Sequence, residues 1–258
     1  MGRKHKPWYQ VARLQLWYWP VSKLMGPRPD YRLDCRFAYR RELTPSEGKN
    51  RRRVFEWIRK VGREPNGGHP DLRTIEEIIE AVDIHPNFRG TAAIYRSRFW
   101  ELFLLDEIGP EEIMRRLNRF LKEHQLERRS PRTISGYKKS GFISRFSSDY
   151  IRLLSGALNS MDGLNAGYLE CLLNFQKRSY SGYLDLFQNQ PYESKYLKEY
   201  FKVNLGDEGE AYYSQAVSKL NEIVLIKGTQ DSKMKEDGWN EITWPICESR
   251  VSPTSSRP

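Results

Sequence analysis

The sequence predicts a mainly α protein: a multi-helix, bundle-like core with a few short strands near the N- and C-termini. Three observations point there. Apolar residues recur at i, i+3 and i+4 in several separate segments. Two Thr-x-x-Glu capping boxes mark helix starts. The 258 residues include 7 Trp, 15 Tyr and 11 Phe, more aromatic bulk than a disordered chain carries.

Taken in order, residues 11–19 alternate weakly and are rich in aromatics (Trp17, Tyr18, Trp19), which reads as a strand ending at Pro20. Gly26-Pro27-Arg28-Pro29-Asp30 makes a loop. Thr44 and Glu47 form the first capping box. The helix it opens carries Val54, Trp57, Ile58 and Val61 on one side and stops at Gly62. Asn66-Gly67-Gly68 is a candidate hinge. Thr74 and Glu77 form the second box, and Ile75, Ile78, Ile79 and Val82 then face a core until His85-Pro86. Ile94, Phe99, Leu102, Phe103 and Leu105 mark a third helix closing at Gly109-Pro110. Ile113, Leu117, Phe120, Leu121 and His124 mark a fourth, with Arg115, Arg119 and Lys122 in a row on its other face.

Ser130-Pro131 opens a short helix through Tyr137. Two more helices, on Ile151, Leu154, Leu158 and Met161 and on Tyr168, Leu172 and Phe175, divide near Gly163. The Tyr-rich run 180–213 reads as helical in pieces, Ala216 to Val224 as a last helix, and Trp239 to Trp244 as a terminal strand. The chain thus divides into a basic segment 1–63, a helical region 64–178, an aromatic-rich helical region 179–250 and a disordered tail 251–258.

The net charge of +10 is local. Residues 1–63 hold 17 Lys/Arg against 5 Asp/Glu, a net +12, and the remainder nearly cancels. A concentrated field steers a polyanion to one face and gains affinity by counterion release, so nucleic acid is the expected partner, with DNA favoured over RNA. A membrane is not expected: no apolar run is long enough to span one, and the basic runs lack a long amphipathic helix. The start lacks the shape of a secretory signal. A cytoplasmic, nucleoid or nuclear protein is expected, not a secreted one.

The basic run Arg40-Arg41 with Lys49, Arg51, Arg52 and Arg53 lies at and before a helix start, whose free backbone N–H groups also favour phosphate. Nearby Trp17, Tyr18, Trp19, Phe37 and Tyr39 could stack on bases. A solvated charged face is the plainer alternative. A second group, Arg132, Lys138 and Lys139, sits on the later element of a helix-turn-helix-like pair over residues 110–142. An ordinary helix pair fits the same pattern.

The segment Glu127-Arg128-Arg129-Ser130-Pro131-Arg132-Thr133-Ile134-Ser135-Gly136-Tyr137 resembles the opening of the core-binding domain of tyrosine recombinases, a helical DNA-clamping module. That family's catalytic domain carries a His-x-x-Arg, and none of His5, His69, His85 or His124 is followed by Arg three positions on. No catalytic residue therefore carries over.

Phosphate-loop, dinucleotide-binding, metalloprotease and nucleophile-elbow motifs are all missing. Glu76, Glu77, Glu111 and Glu112 sit in first helical turns, where the helix dipole wants negative charge. Cys35, Cys171 and Cys247 are too far apart for a zinc knuckle and read as reduced, buried thiols. No metal or other cofactor is expected. The reading is a non-enzymatic nucleic-acid-binding subunit or accessory factor with a protein partner. One alternative is an interaction scaffold using exposed Tyr180, Tyr183, Phe187, Tyr192, Tyr196 and Tyr200. The other is a metal-dependent nuclease built on His69, Asp71, Asp83 and His85.

Overall fold

A computed structural model describes residues 6–44, 46–65, 70–124, 163–180 and 192–226. Its helices are α1 (Trp8–Met25), α2 (Pro29–Leu33), α3 (Val54–Val61), α4 (Ile75–Ile84), α5 (Ala92–Tyr95), α6 (Pro110–Glu123), α7 (Gly163–Tyr180), α8 (Lys195–Leu205) and α9 (Asp207–Glu222). Short 3-10 or π-type turns stand between several of them. The mainly α, multi-helix expectation holds. The chain forms two compact units.

The first unit holds residues up to Asp106, with Gly163–Gly167 and Glu193–Glu222. At its centre lies α1, and here the sequence reading is corrected: residues 11–19 are helix, not strand. Leu14, Trp17, Tyr18, Val21 and Met25 enter a core shared with Leu33, Phe37, Phe55, Ile58, Ile78, Ile79 and Val82. Ala12 and Leu16, on other sides of α1, are fully buried too. A helix buried on more than one face shows no single apolar stripe, so its periodicity does not declare itself. Pro20 lies inside α1 without ending it. The packing on several sides offsets the one hydrogen bond that its missing N–H removes.

The second capping box is realised in full. Thr74 Oγ1 accepts from Glu77 N, Glu77 Oε2 accepts from Thr74 N at 2.7 Å, and α4 buries the expected Ile75, Ile78, Ile79 and Val82. At the first box Thr44 N donates to Glu47 Oε2 at 2.9 Å, but only a 3-10 turn, Glu47–Asn50, follows, and α3 waits until Val54. The expected third helix is two pieces, α5 and a 3-10 stretch Arg98–Leu104, with Ser97 Oγ accepting from Phe99 N at the break. Buried Gln15 is satisfied at both ends of its amide: Nε2 donates to Arg59 O at 3.0 Å, and Oε1 accepts from Tyr212 OH at 2.9 Å.

In the second unit α6 buries Ile113, Leu117, Phe120 and Leu121, as its periodicity predicts, and Phe120 meets Tyr168 with ring centroids 5.4 Å apart. Strands β1 (Glu107–Ile108) and β2 (Val224–Leu225) pair in parallel, Glu107 opposite Val224. The expected strand at Trp239 to Trp244, the helices at 130–137 and 151–161, and the tail lie outside the described residues. No helix among the described residues is long and apolar enough to cross a membrane.

Gly62 ends α3 with φ +54°, and a Cβ there would come within 2.4 Å of the Val11 side chain on α1. Gly90 also has positive φ, +91°, but open space around it. Gly62→Ala should therefore lower unfolding stability by about 2–4 kcal/mol, combining backbone strain with overpacking, whereas Gly90→Ala should cost only about 1 kcal/mol. Urea unfolding followed by tryptophan fluorescence measures both. Equal losses would contradict the close approach of α1 and α3.

Candidate nucleic-acid interface

The basic run is held from below by one buried carboxylate. Asp34 is fully buried at the join of α2 and the following π-type turn. Its Oδ1 accepts from the backbone N–H of Phe55 at 2.9 Å, and its Oδ2 accepts from Arg51 Nε at 3.1 Å. The Arg51 guanidinium also lies 4.5 Å from the Tyr31 ring centroid. One residue on, Arg52 N donates to the Tyr39 hydroxyl at 2.7 Å. The chain from 51 to 55 is thereby pinned to the core at three points.

Two sequence expectations change as a result. Arg51 does not face water; its side chain is 14% exposed and serves the fold. Two of the N–H groups expected to be free at the helix start are also spoken for, since Val54 N donates to Arg52 O and Phe55 N to Asp34.

The other residues of the run point outward. Arg40 pairs with Glu77 at 3.1 Å and Arg41 with Glu47 at 2.6 Å, while Arg53 reaches Glu56 only at 3.5 Å. Hydrogen bonds from Arg41 hold the Glu47 carboxyl down at about 2. Lys49 and Arg52 are exposed, and neither meets an acid among the described residues. Exposed pairs of this kind contribute little to stability. The antiparallel bridge between Tyr39 and Leu72 sets Arg40 beside the segment that carries Leu72. Arg132, Lys138, Lys139 and the later part of the helix-turn-helix pair lie outside the described residues, as does the recombinase-like segment.

The expected base-stacking aromatics are in the wrong place. Trp17, Tyr18, Phe37 and Tyr39 are buried, and Trp19 is half-buried against the core. Among the described residues the most exposed tryptophan is Trp57, half exposed on α3. The sequence pattern assigns it to the inward stripe, but Val54, Phe55 and Ile58 form the inward arc and leave Trp57 and Val61 outside. Trp57 lines a shallow groove of about 270 Å³ with Arg52, Arg53, Arg63 and Leu72. The Arg63 guanidinium sits 5.2 Å from the indole centroid. The groove's one acid, Glu64, is already paired with Lys6 at 2.8 Å.

Of the residues that suggested metal chemistry, Asp83 and His85 serve the backbone, and His69 lies outside the described residues. Asp83 Oδ1 accepts from Ala92 N at 2.9 Å, and His85 Nδ1 accepts from Asn87 N. No metal-binding group of three or more His, Cys, Asp or Glu occurs among the described residues. Cys171 is fully buried, which pushes its thiol up, whereas Cys35 is half-buried; both are free. Of the scaffold anchors, Tyr192 is buried and Tyr196 and Tyr200 are half-buried, while Tyr183 and Phe187 lie outside the described residues and the side chain of Tyr180 is not described.

No protein family matches the chain, and neither a curated protein nor a solved structure does.

Burial pushes the Asp34 carboxyl up to about 7, against the pull of the Phe55 amide and Arg51. Between its ordinary value near 4 and about 7, the native state holds a proton that the unfolded chain has released, so stability falls as pH rises through that window. The parent should lose stability between pH 5 and pH 8 relative to Asp34→Asn, which cannot ionise. Parallel urea unfolding curves for the two proteins at both pH values would show the carboxyl to be unperturbed.

Proposed function

We propose that this protein is a non-enzymatic nucleic-acid-binding subunit or accessory factor, and that the outward arginines of its first unit contact the phosphate backbone. The observation that supports it most is the net +12 in residues 1–63, coupled to a fold that turns Arg51 inward and leaves Lys49, Arg52 and Arg53 outward. Guanidinium forks match phosphate oxygens, and phosphate contacts add affinity without reading sequence. DNA is the favoured polyanion, and a protein partner would supply any sequence choice or chemistry. An interaction scaffold is the second reading, but buried Tyr192 removes one of its anchors.

Arg51 belongs to the fold, so a fair test leaves it in place. The double variant Arg52→Ala/Arg53→Ala should bind all DNA sequences more weakly than the parent, by about tenfold at physiological salt. Its log–log salt slope should be shallower by about 2, one for each phosphate no longer neutralised. Fluorescence anisotropy across a salt series measures both quantities. Unchanged affinity and slope would make the run a solvated face.

A further inference from the structure

We propose that the Trp57 groove is a stacking site for an unpaired nucleotide, so that the protein prefers single-stranded nucleic acid to duplex. The inference rests on the phosphate-binding reading above and adds to it the form of the ligand. An indole half in solvent on a short helix, when Phe55 beside it is fully buried, is the one large aromatic surface that α3 leaves to a ligand. Arg63 lies over that ring at 5.2 Å, which fixes the ring's attitude and places a cation beside it. Arg52 and Arg53 stand on the same groove, one turn before Trp57 along the chain.

Size and charge select the occupant. The groove, about 270 Å³ and open to solvent, lies at the small end of the roughly 300–1,000 Å³ range of pockets that hold a small molecule. It suits one flat heterocycle lying against the indole while ribose and phosphate stay in solvent, near the guanidiniums. Three guanidiniums around one indole favour a ligand that is aromatic and anionic together over an apolar peptide side chain. Bases stacked inside a duplex cannot offer a face to Trp57, whereas those of a single strand can, whatever their sequence.

The test compares parent, Trp57→Ala, Trp57→Phe and Arg52→Ala/Arg53→Ala for binding to a labelled oligothymidine and to a duplex of equal length. Trp57→Ala should weaken oligothymidine binding about tenfold or more, and Trp57→Phe by no more than about threefold, because a smaller ring still stacks. Neither should alter the salt slope, since every phosphate partner stays in place. Duplex binding should be unchanged in both. As an independent readout, oligothymidine should quench part of the parent's tryptophan fluorescence, and that part should be missing in Trp57→Phe. If Trp57→Ala binds oligothymidine like the parent, or loses duplex binding equally, the stacking site is wrong while a defect in the arginine variant keeps the phosphate reading. If the parent binds neither nucleic acid at low salt, both fall and Trp57 is left to a protein partner.

Discussion

Everything described at the candidate interface depends on the buried carboxylate of Asp34. Removing a carboxylate from water is costly, and the cost is tolerated only where hydrogen bonds and an opposite charge meet it. Asp34 has both, a backbone N–H from Phe55 and the Nε of Arg51, on segments more than a dozen residues away in the chain, and they meet the cost only in part, so burial still pushes the carboxyl up to about 7. It acts as a remote cap for α3, satisfying one of the amides that a helix start leaves open. A neighbouring acid repeats the arrangement one turn earlier: Asp30 accepts from the Tyr18 hydroxyl and, at 3.0 Å, from Arg59 Nε. Asp30 thus ties α1 to α3, Asp34 ties the extension of α2 to the start of α3, and each consumes an arginine of the basic segment in doing so.

That division of labour changes what the positive charge means. Of three consecutive arginines, the first is structural and the next two face solvent, a split that charge counting does not reveal. The same holds for the aromatics. Their density in residues 8–39 builds a core around α1, and Trp17 packs with its ring centroid 6.1 Å from that of Phe55. Among the described residues the exposed indole, Trp57, stands elsewhere, on the helix that the buried acid holds in place.

How much the sequence disclosed depended on whether local signals were free of tertiary conflict. Thr74 and Glu77 cap α4, and Ile113, Leu117, Phe120 and Leu121 line α6, because each helix has one buried face and one wet one. Along α1 the strand reading fails, since burial on several sides hides the helical period and β-prone aromatics dominate the composition. On α3 the periodicity puts the stripe one step off: Val54 and Ile58 are inward, but Phe55 rather than Trp57 completes the arc. No local pattern tells Arg51 from Arg52, because the partner that distinguishes them lies 17 residues away.

Hydrogen–deuterium exchange resolved to the segment 51–58 tests the central role of Asp34 most directly. The Phe55 amide should exchange slowly in the parent. In Asp34→Ala, exchange should rise across 51–58 while α4, capped by its own Thr74 and Glu77, keeps its protection. Equal protection of 51–58 in the two proteins would contradict this role of Asp34, because α3 and its arginines would then be held by something other than the buried carboxylate.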